Sequence, residues 1–157
     1  MQDSRLTLNA ARPEDAEFLY RLTEETMRTY VEMTWGEWKE EMVRQFTRKA
    51  ASDGSFDLIV FGGITVGALR VERLESHIQL DQMYISKPYQ RQGIGTALVR
   101  DLIAEARSAK KPLRLRVLKP NPAKAFYERL GFVVTDETKE RYFMEQSALT
   151  LGGVDGP

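Results

Sequence analysis

Leu6 and Leu8 alternate with polar neighbours, the period of a first strand. Arg12-Pro13-Glu14-Asp15 then opens a helix, with proline in its first turn and acids at its positive end. Phe18, Leu19, Leu22 and Thr26 or Met27 follow at helical spacing. A second helix is predicted from near Thr34 to Ala51, carrying Trp38, Met42 and Phe46 four apart, and Ser52-Asp53-Gly54-Ser55 breaks it. Phe56 to Phe61 reads as a strand, Gly62-Gly63 as a hairpin turn and Ile64 to Val71 as the returning partner. Ser76 to Ser86 predicts a further strand. A loop from Pro88 to Gly95 leads into a long amphipathic helix over Ile94 to Ala109, with Leu98, Leu102, Ile103 and Ala106 on one face. Leu113, Leu115 and Val117 alternate with Arg114 and Arg116, again a strand. Pro122 to Leu130 is a short helix with Asn121 as cap and Gly131 as stop. Phe132 to Val134 and Arg141 to Glu145 predict two last, paired strands.

This order predicts an α/β domain around a mixed sheet. A chain of 157 residues supports one domain, residues 1–146, and the glycine-rich stretch 147–157 is expected to be a loose tail. Without cysteine there is no disulfide, thiolate metal site or cysteine nucleophile, and one histidine, His77, leaves little for zinc. No metal is expected. The opening residues lack a basic stretch followed by an apolar run, and no segment approaches a membrane span. A cytoplasmic setting without a membrane partner is therefore expected.

Charge is balanced overall but unevenly spread. Nine acidic residues between Glu14 and Glu41 face three basic ones, and nine basic residues between Lys87 and Lys119 face only Asp101 and Glu105. Two solvated helix faces of opposite sign would give this pattern. So would a basic side for an anionic cofactor and an acidic side for a cationic substrate. Core aliphatics interrupt the basic stretch, so no nucleic-acid partner is expected.

Two segments carry candidate chemistry. In Ile78-Gln79-Leu80-Asp81-Gln82-Met83-Tyr84-Ile85 the apolar parity slips between Leu80 and Met83. Either a β-bulge near Asp81–Gln82 puts all four aliphatic positions on one face, or Met83 and Ile85 face a second apolar layer. The loop Gln90-Arg91-Gln92-Gly93-Ile94-Gly95-Thr96 leads from that strand into a helix. Its glycines allow close backbone approach, the helix start offers unpaired N–H groups, and Arg91 adds charge. That composition suits a diphosphate. The third glycine of a dinucleotide fingerprint and the Gly-Lys-Ser/Thr of a P-loop are both missing.

Met83-Tyr84-Ile85 followed by Pro88-Tyr89-Gln90-Arg91-Gln92-Gly93-Ile94-Gly95 resembles the GNAT superfamily of N-acetyltransferases, with Gln90, Gly93 and Gly95 in its hallmark places. The stretch from Val117 to Phe132 is similar to that family's second signature. The resemblance covers about residues 5 to 146 and implies a central mixed, mostly antiparallel sheet of about six or seven strands flanked by about four helices. It also implies acetyl-CoA as cosubstrate, lying between the strand ending at Ile85 and the strand Leu113–Leu118. Backbone of Met83, Tyr84 and Ile85 would meet the pantetheine and thioester. Residues Gln90, Arg91, Gln92, Gly93, Ile94, Gly95 and Thr96 would hold the diphosphate, with Asn121, Ala123 and Tyr127 as further cofactor contacts.

The same resemblance makes Tyr127 the acid that protonates the departing thiolate. Read locally, Tyr127 belongs to an apolar helical stripe with Ala123, Phe126 and Leu130, and Asn121 is a helix cap. Gln79 falls where many members carry a glutamate, and glutamine cannot take a proton. Asp81 is the nearest carboxylate and the candidate base, with Glu32 and His77 as rivals. Tyr30, Glu32, Trp35, Trp38, Gln79 and Tyr142 are candidates for the acceptor groove, where aromatics and a carboxylate suit an ammonium. Helix packing explains the aromatics equally well. The expected reaction is direct acetyl transfer to an amine-bearing small molecule or protein N-terminus. A non-catalytic acyl-CoA-binding module is the alternative, and homodimerisation stays open.

Overall fold

A computed structural model describes residues 5–147. The expected tail, Ser147 apart, lies outside the described residues. Seven strands are β1 (Leu6–Ala10), β2 (Asp57–Phe61), β3 (Ile64–Arg73), β4 (Ile78–Ile85), β5 (Leu113–Leu118), β6 (Val133–Glu137) and β7 (Arg141–Gln146). The helices are α1 (Ala16–Trp35), α2 (Glu40–Asp53), α3 (Ile94–Ser108) and α4 (Ala123–Arg129), with short 3-10 turns at Pro13–Asp15 and Lys87–Tyr89. The hydrogen-bonded order is β1-β2-β3-β4-β5-β7-β6. β4 and β5 pair in parallel, while β1–β2, β2–β3, β5–β7 and β6–β7 are antiparallel. This is the mixed, mostly antiparallel sheet with four helices that the family resemblance implies. Among the described residues no helix is long and apolar enough to cross a membrane.

The described residues form two compact units, 5–71 with 82–95, and 72–81 with 96–147. In the first, α1 is longer than the apolar spacing predicts. It spans 20 residues, so Thr34 sits in its last turn and does not begin a second helix. Gly36 ends it with φ 88°, a left-handed cap whose N–H bonds Glu32 at 2.8 Å. Trp38 consequently lies in the linker before α2. The expected Trp38–Met42–Phe46 stripe is not the buried face either: α2 buries Thr47, Ala50 and Ala51, and leaves Met42 and Phe46 exposed. Apolar side chains at four-residue steps resemble a core stripe, but the small side chains of the alanines pack into the core in their place.

The core of this unit joins Leu19 and Leu22 of α1, Ala50 and Ala51 of α2, and Phe56, Leu58, Ala68 and Tyr84. Both expected alternatives for β4 take Met83 and Ile85 as inward residues. Those two are half-buried, and Tyr84 is the buried one, its ring 6.1 Å from that of Phe56. Gly62 and Gly63, both at positive φ, make the tight β2–β3 turn.

In the second unit β5 alternates as read, burying Leu113, Leu115 and Val117 and exposing Arg114 and Arg116. The α3 face of Leu98, Val99, Leu102, Ile103 and Ala106 is buried as well. β7 pairs with β5 along its whole length, from Leu113↔Gln146 to Leu118↔Arg141. The parallel ladder to β4 covers Ile78↔Leu113, Gln79↔Arg114 and Leu80↔Leu115.

Candidate functional site

The loop after β4 is built by its own side chains. Gln90 turns back to donate its amide to the Ile85 carbonyl at 2.8 Å, and Gln92 does the same to Pro88 at 3.0 Å. Arg91 has φ 63° and Gly93 φ 85°, with Gln92 at ordinary φ between them. Left-handed residues alternating with right-handed ones are the pattern of anion-binding backbone nests. A Cβ at Gly93 would meet open space, so the glycine serves backbone conformation and approach, not packing. Arg91, Gln92 and Gly93 are exposed, whereas Ile94 is buried and anchors the start of α3. Gly95 and Thr96 follow in its first turn, where backbone N–H groups have no intrahelical acceptor. The whole segment presents N–H groups and the positive end of a helix to solvent, which is what a diphosphate requires.

In the second unit, β5 leads into Lys119-Pro120-Asn121 and then α4. Asn121 closes a turn onto the Leu118 carbonyl at 2.9 Å, and its Oδ1 accepts the Ala123 N–H at 2.9 Å. Asn121 therefore lies one residue before the N-cap, which is Pro122 and not Asn121 as the local reading expects, and it satisfies the N–H of the first helical residue. Tyr127 is buried between Phe126 and Phe132, whose rings stand edge-on at 5.1 and 5.5 Å. Burial pushes its phenol above the ordinary tyrosine value, so it stays protonated throughout the physiological range.

The same unit contains a cavity of about 250 Å³ on the sheet face that carries Arg114 and Arg116. Gln79 and Asp81 both line it, so two candidates from β4 come together there. Glu72, from the end of β3, adds a carboxylate that no sequence pattern marks. Gln79 is held by His77, Nε2 to Oε1 at 3.2 Å, while the Ser76 hydroxyl bonds His77 Nδ1 at 2.8 Å. Among the described residues no cluster of His, Asp or Glu is placed to hold a metal ion.

The sequence matches the acetyltransferase (GNAT) domain over residues 18–145, a span that contains both the loop and α4. The chain belongs to the GNAT acetyltransferase family. No curated protein matches it. Among solved structures, an acetyltransferase from Thermus thermophilus superposes with TM-score 0.70 at 22% identity, covering 92% of this chain and 98% of that one. The PaiA N-acetyltransferase of Thermoplasma acidophilum, in complex with coenzyme A, gives 0.67 at 19%, covering 90% and 98%. Arabidopsis thaliana Naa50, in complex with the bisubstrate analogue CoA-Ac-MVNAL, gives 0.61 at 19%, covering 91% and 99%. At these identities the likeness is one of fold.

Within this GNAT chain, the acceptor candidates of α1 are largely engaged. Glu32 accepts Arg28 Nε at 3.0 Å, and the same guanidinium holds Glu24 at 2.8 Å. Glu17 and Glu40 share Arg44, at 2.9 and 2.8 Å, Glu41 pairs with Arg48 and Asp53 with Lys49. Much of the acidic stretch is thus paired with cations of its own helices, two of them shared between carboxylates, which weakens the charge argument for a cationic acceptor. Trp38 donates its indole N–H to Tyr20 at 3.0 Å, and Arg44 lies 3.9 Å over the Tyr20 ring, so Trp38 serves this packing cluster. Tyr30 is half-buried and Trp35 exposed near the α1 end. In the other unit, Lys119 and Lys124 sit 5.2 and 4.9 Å from the Tyr142 ring, so cations of the chain already occupy it.

Two residues of the first unit escaped sequence reasoning. Glu25 bonds the backbone at Lys87 and the Ser86 hydroxyl, tying α1 to the entry of the loop. Gly67 in β3 sits so close to β4 that a Cβ would collide with the Tyr84 carbonyl oxygen. A glycine inside a strand was the available signal for that close approach.

Proposed function

We propose that the protein is an N-acetyltransferase that moves the acetyl group of acetyl-CoA to an amine by direct attack in a ternary complex. The observation that carries this is the Gln90–Thr96 loop, with left-handed Arg91 and Gly93 before the α3 start, inside a GNAT domain. The CoA complexes among the structural neighbours support the same reading. Acetyl-CoA supplies an acyl group activated as a thioester. Backbone N–H groups from Arg91 to Thr96, with the Arg91 guanidinium, bind the diphosphate, and Gln90 and Gln92 hold the loop in shape. The backbone of Met83 to Ile85 takes the pantetheine, and an N–H near Met83 or Tyr84 polarises the thioester carbonyl.

An ammonium acceptor must lose a proton before it attacks, and Asp81 is the proposed base, directly or through water. The new C–N bond forms as the C–S bond breaks, and the second proton that the nitrogen sheds on becoming an amide passes to solvent. Tyr127 gives its phenolic proton to the departing thiolate and regains one from solvent. Burial keeps that phenol neutral, so a proton is held at this position, and it also makes the group a weaker acid than a free tyrosine, so the role rests on its position in the domain and not on its acidity. Without cysteine, no acyl-cysteine intermediate interrupts the transfer. Isothermal calorimetry with CoA, on wild type and Gly93→Asp, tests the cofactor half: wild type should bind and the variant should not. Equal affinity would remove the loop from the site.

A further inference from the structure

The cavity on the second unit is lined by both signs of charge. Arg114 is committed to Glu145 across the β5–β7 ladder, at 2.8 Å. Arg116, two residues on, faces Phe143 in the register, and neither it nor Glu72 is engaged by the side chain of another described residue. Asp81 and Gln79 lie on the same wall. Leu74 and Phe143 supply an apolar lining.

A purely cationic ligand such as a polyamine would set like charge against Arg116. A purely anionic one would face Glu72 and Asp81. A molecule carrying one ammonium and one carboxylate satisfies both, and a guanidinium binds a carboxylate through two parallel N–H bonds. At the volume water occupies in the liquid, about 250 Å³ holds roughly eight heavy atoms. That is the size of a free amino acid.

We propose that this cavity is the acceptor site and that it selects zwitterionic amines of amino-acid size, with Arg116 on the carboxylate and Glu72 and Asp81 on the amine side. The proposal rests on the acetyltransferase reading, so its test needs one readout that does not. Acetyl transfer is compared for matched pairs, valine against isobutylamine and leucine against isoamylamine. Binding of valine and leucine is followed separately by NMR without acetyl-CoA. The carboxylated member of each pair should be favoured about 10- to 100-fold in kcat/KM, the range of one charge-assisted hydrogen-bonded contact. Arg116→Gln should erase that preference through KM, Arg116→Lys should keep part of it, and both should melt and bind acetyl-CoA like wild type. Equal rates within a pair, or a preference that survives Arg116→Gln, overturns the proposal. If no amine is acetylated yet both amino acids bind and Arg116→Gln abolishes binding, the cavity assignment stands and the acetyltransferase reading falls. Neither transfer nor binding overturns both.

Discussion

Glu25, midway along α1, accepts a 2.7 Å hydrogen bond from the backbone N–H of Lys87, at the point where the chain leaves β4 for the glycine loop. Its carboxylate also receives the Ser86 hydroxyl at 3.3 Å. A side chain far away in sequence thereby fixes where the loop begins. Glu25→Ala should leave the sheet intact and loosen the loop, raising the Kd for CoA about three- to tenfold, part of the worth of a charged hydrogen bond at a solvated site. Glu25→Gln keeps an acceptor and should lose less. Calorimetry checks both, and an unchanged Kd for Glu25→Ala would mean the tether is ornamental.

Gly93 separates conformation from charge. Its φ of 85° is costly for any residue with a Cβ, yet there is open space around it. Gly93→Ala should therefore cost about 1–2 kcal/mol in stability through backbone strain, and weaken CoA binding moderately. Gly93→Asp adds a negative charge where the proposed site holds the diphosphate and should nearly abolish binding. Thermal melts alongside CoA titrations resolve the two effects; equal binding losses for both variants would contradict a charge contribution.

Tyr127→Phe keeps the ring that packs against Phe126 and Phe132 and removes only the hydroxyl. With the best amine, kcat should fall about 10²- to 10³-fold, while KM for acetyl-CoA and the melting temperature hardly move. A tyrosine present only for packing would leave kcat near wild type. Steady-state and single-turnover kinetics distinguish these outcomes.

Tyr84 and Tyr127 also predict an alkaline limit to stability. Burial raises both phenols above the ordinary value, with the Arg70 charge partly opposing it for Tyr84. Below about pH 10 both tyrosines are protonated whether the chain is folded or not, so they impose no slope. Above it the unfolded chain releases those protons and the folded chain does not, so stability falls as pH rises. Urea melts between about pH 9 and 11 should show this fall, and Tyr127→Phe should remove about 1.4 kcal/mol of it over that whole range. An identical slope in the variant would contradict the burial of the hydroxyl.

What the sequence disclosed was local or periodic. The hairpin at Gly62-Gly63, the α3 face and the alternation of β5 follow from neighbours a few residues apart, and so does the loop chemistry of Gln90 to Gly95. Where two patterns competed, the reading failed. Trp38, Met42 and Phe46 have helical spacing, yet Gly36 moved Trp38 into a linker and the alanines took the inner face. In β4 the buried residue of the Met83–Ile85 stretch is Tyr84, packed against Phe56, while Met83 and Ile85 on the other face stay half-buried. The long-range contacts, Glu25 with Lys87 and Gly67 against Tyr84, leave no trace in spacing. The acidic excess of α1 and α2 misled because composition records charges but not their partners, and Arg28, Arg44 and Arg48 account for most of them.

The central claim is that this chain transfers acetyl groups and does not merely bind acyl-CoA. Incubating it with acetyl-CoA and a panel of amines, while following thiol release and the mass of the products, tests this most directly. The account predicts one free thiol for each acetylated amine, loss of turnover in Tyr127→Phe and loss of cofactor binding in Gly93→Asp. Tight acetyl-CoA binding with no thiol release from any amine would contradict it and leave a cofactor-binding module on the same fold.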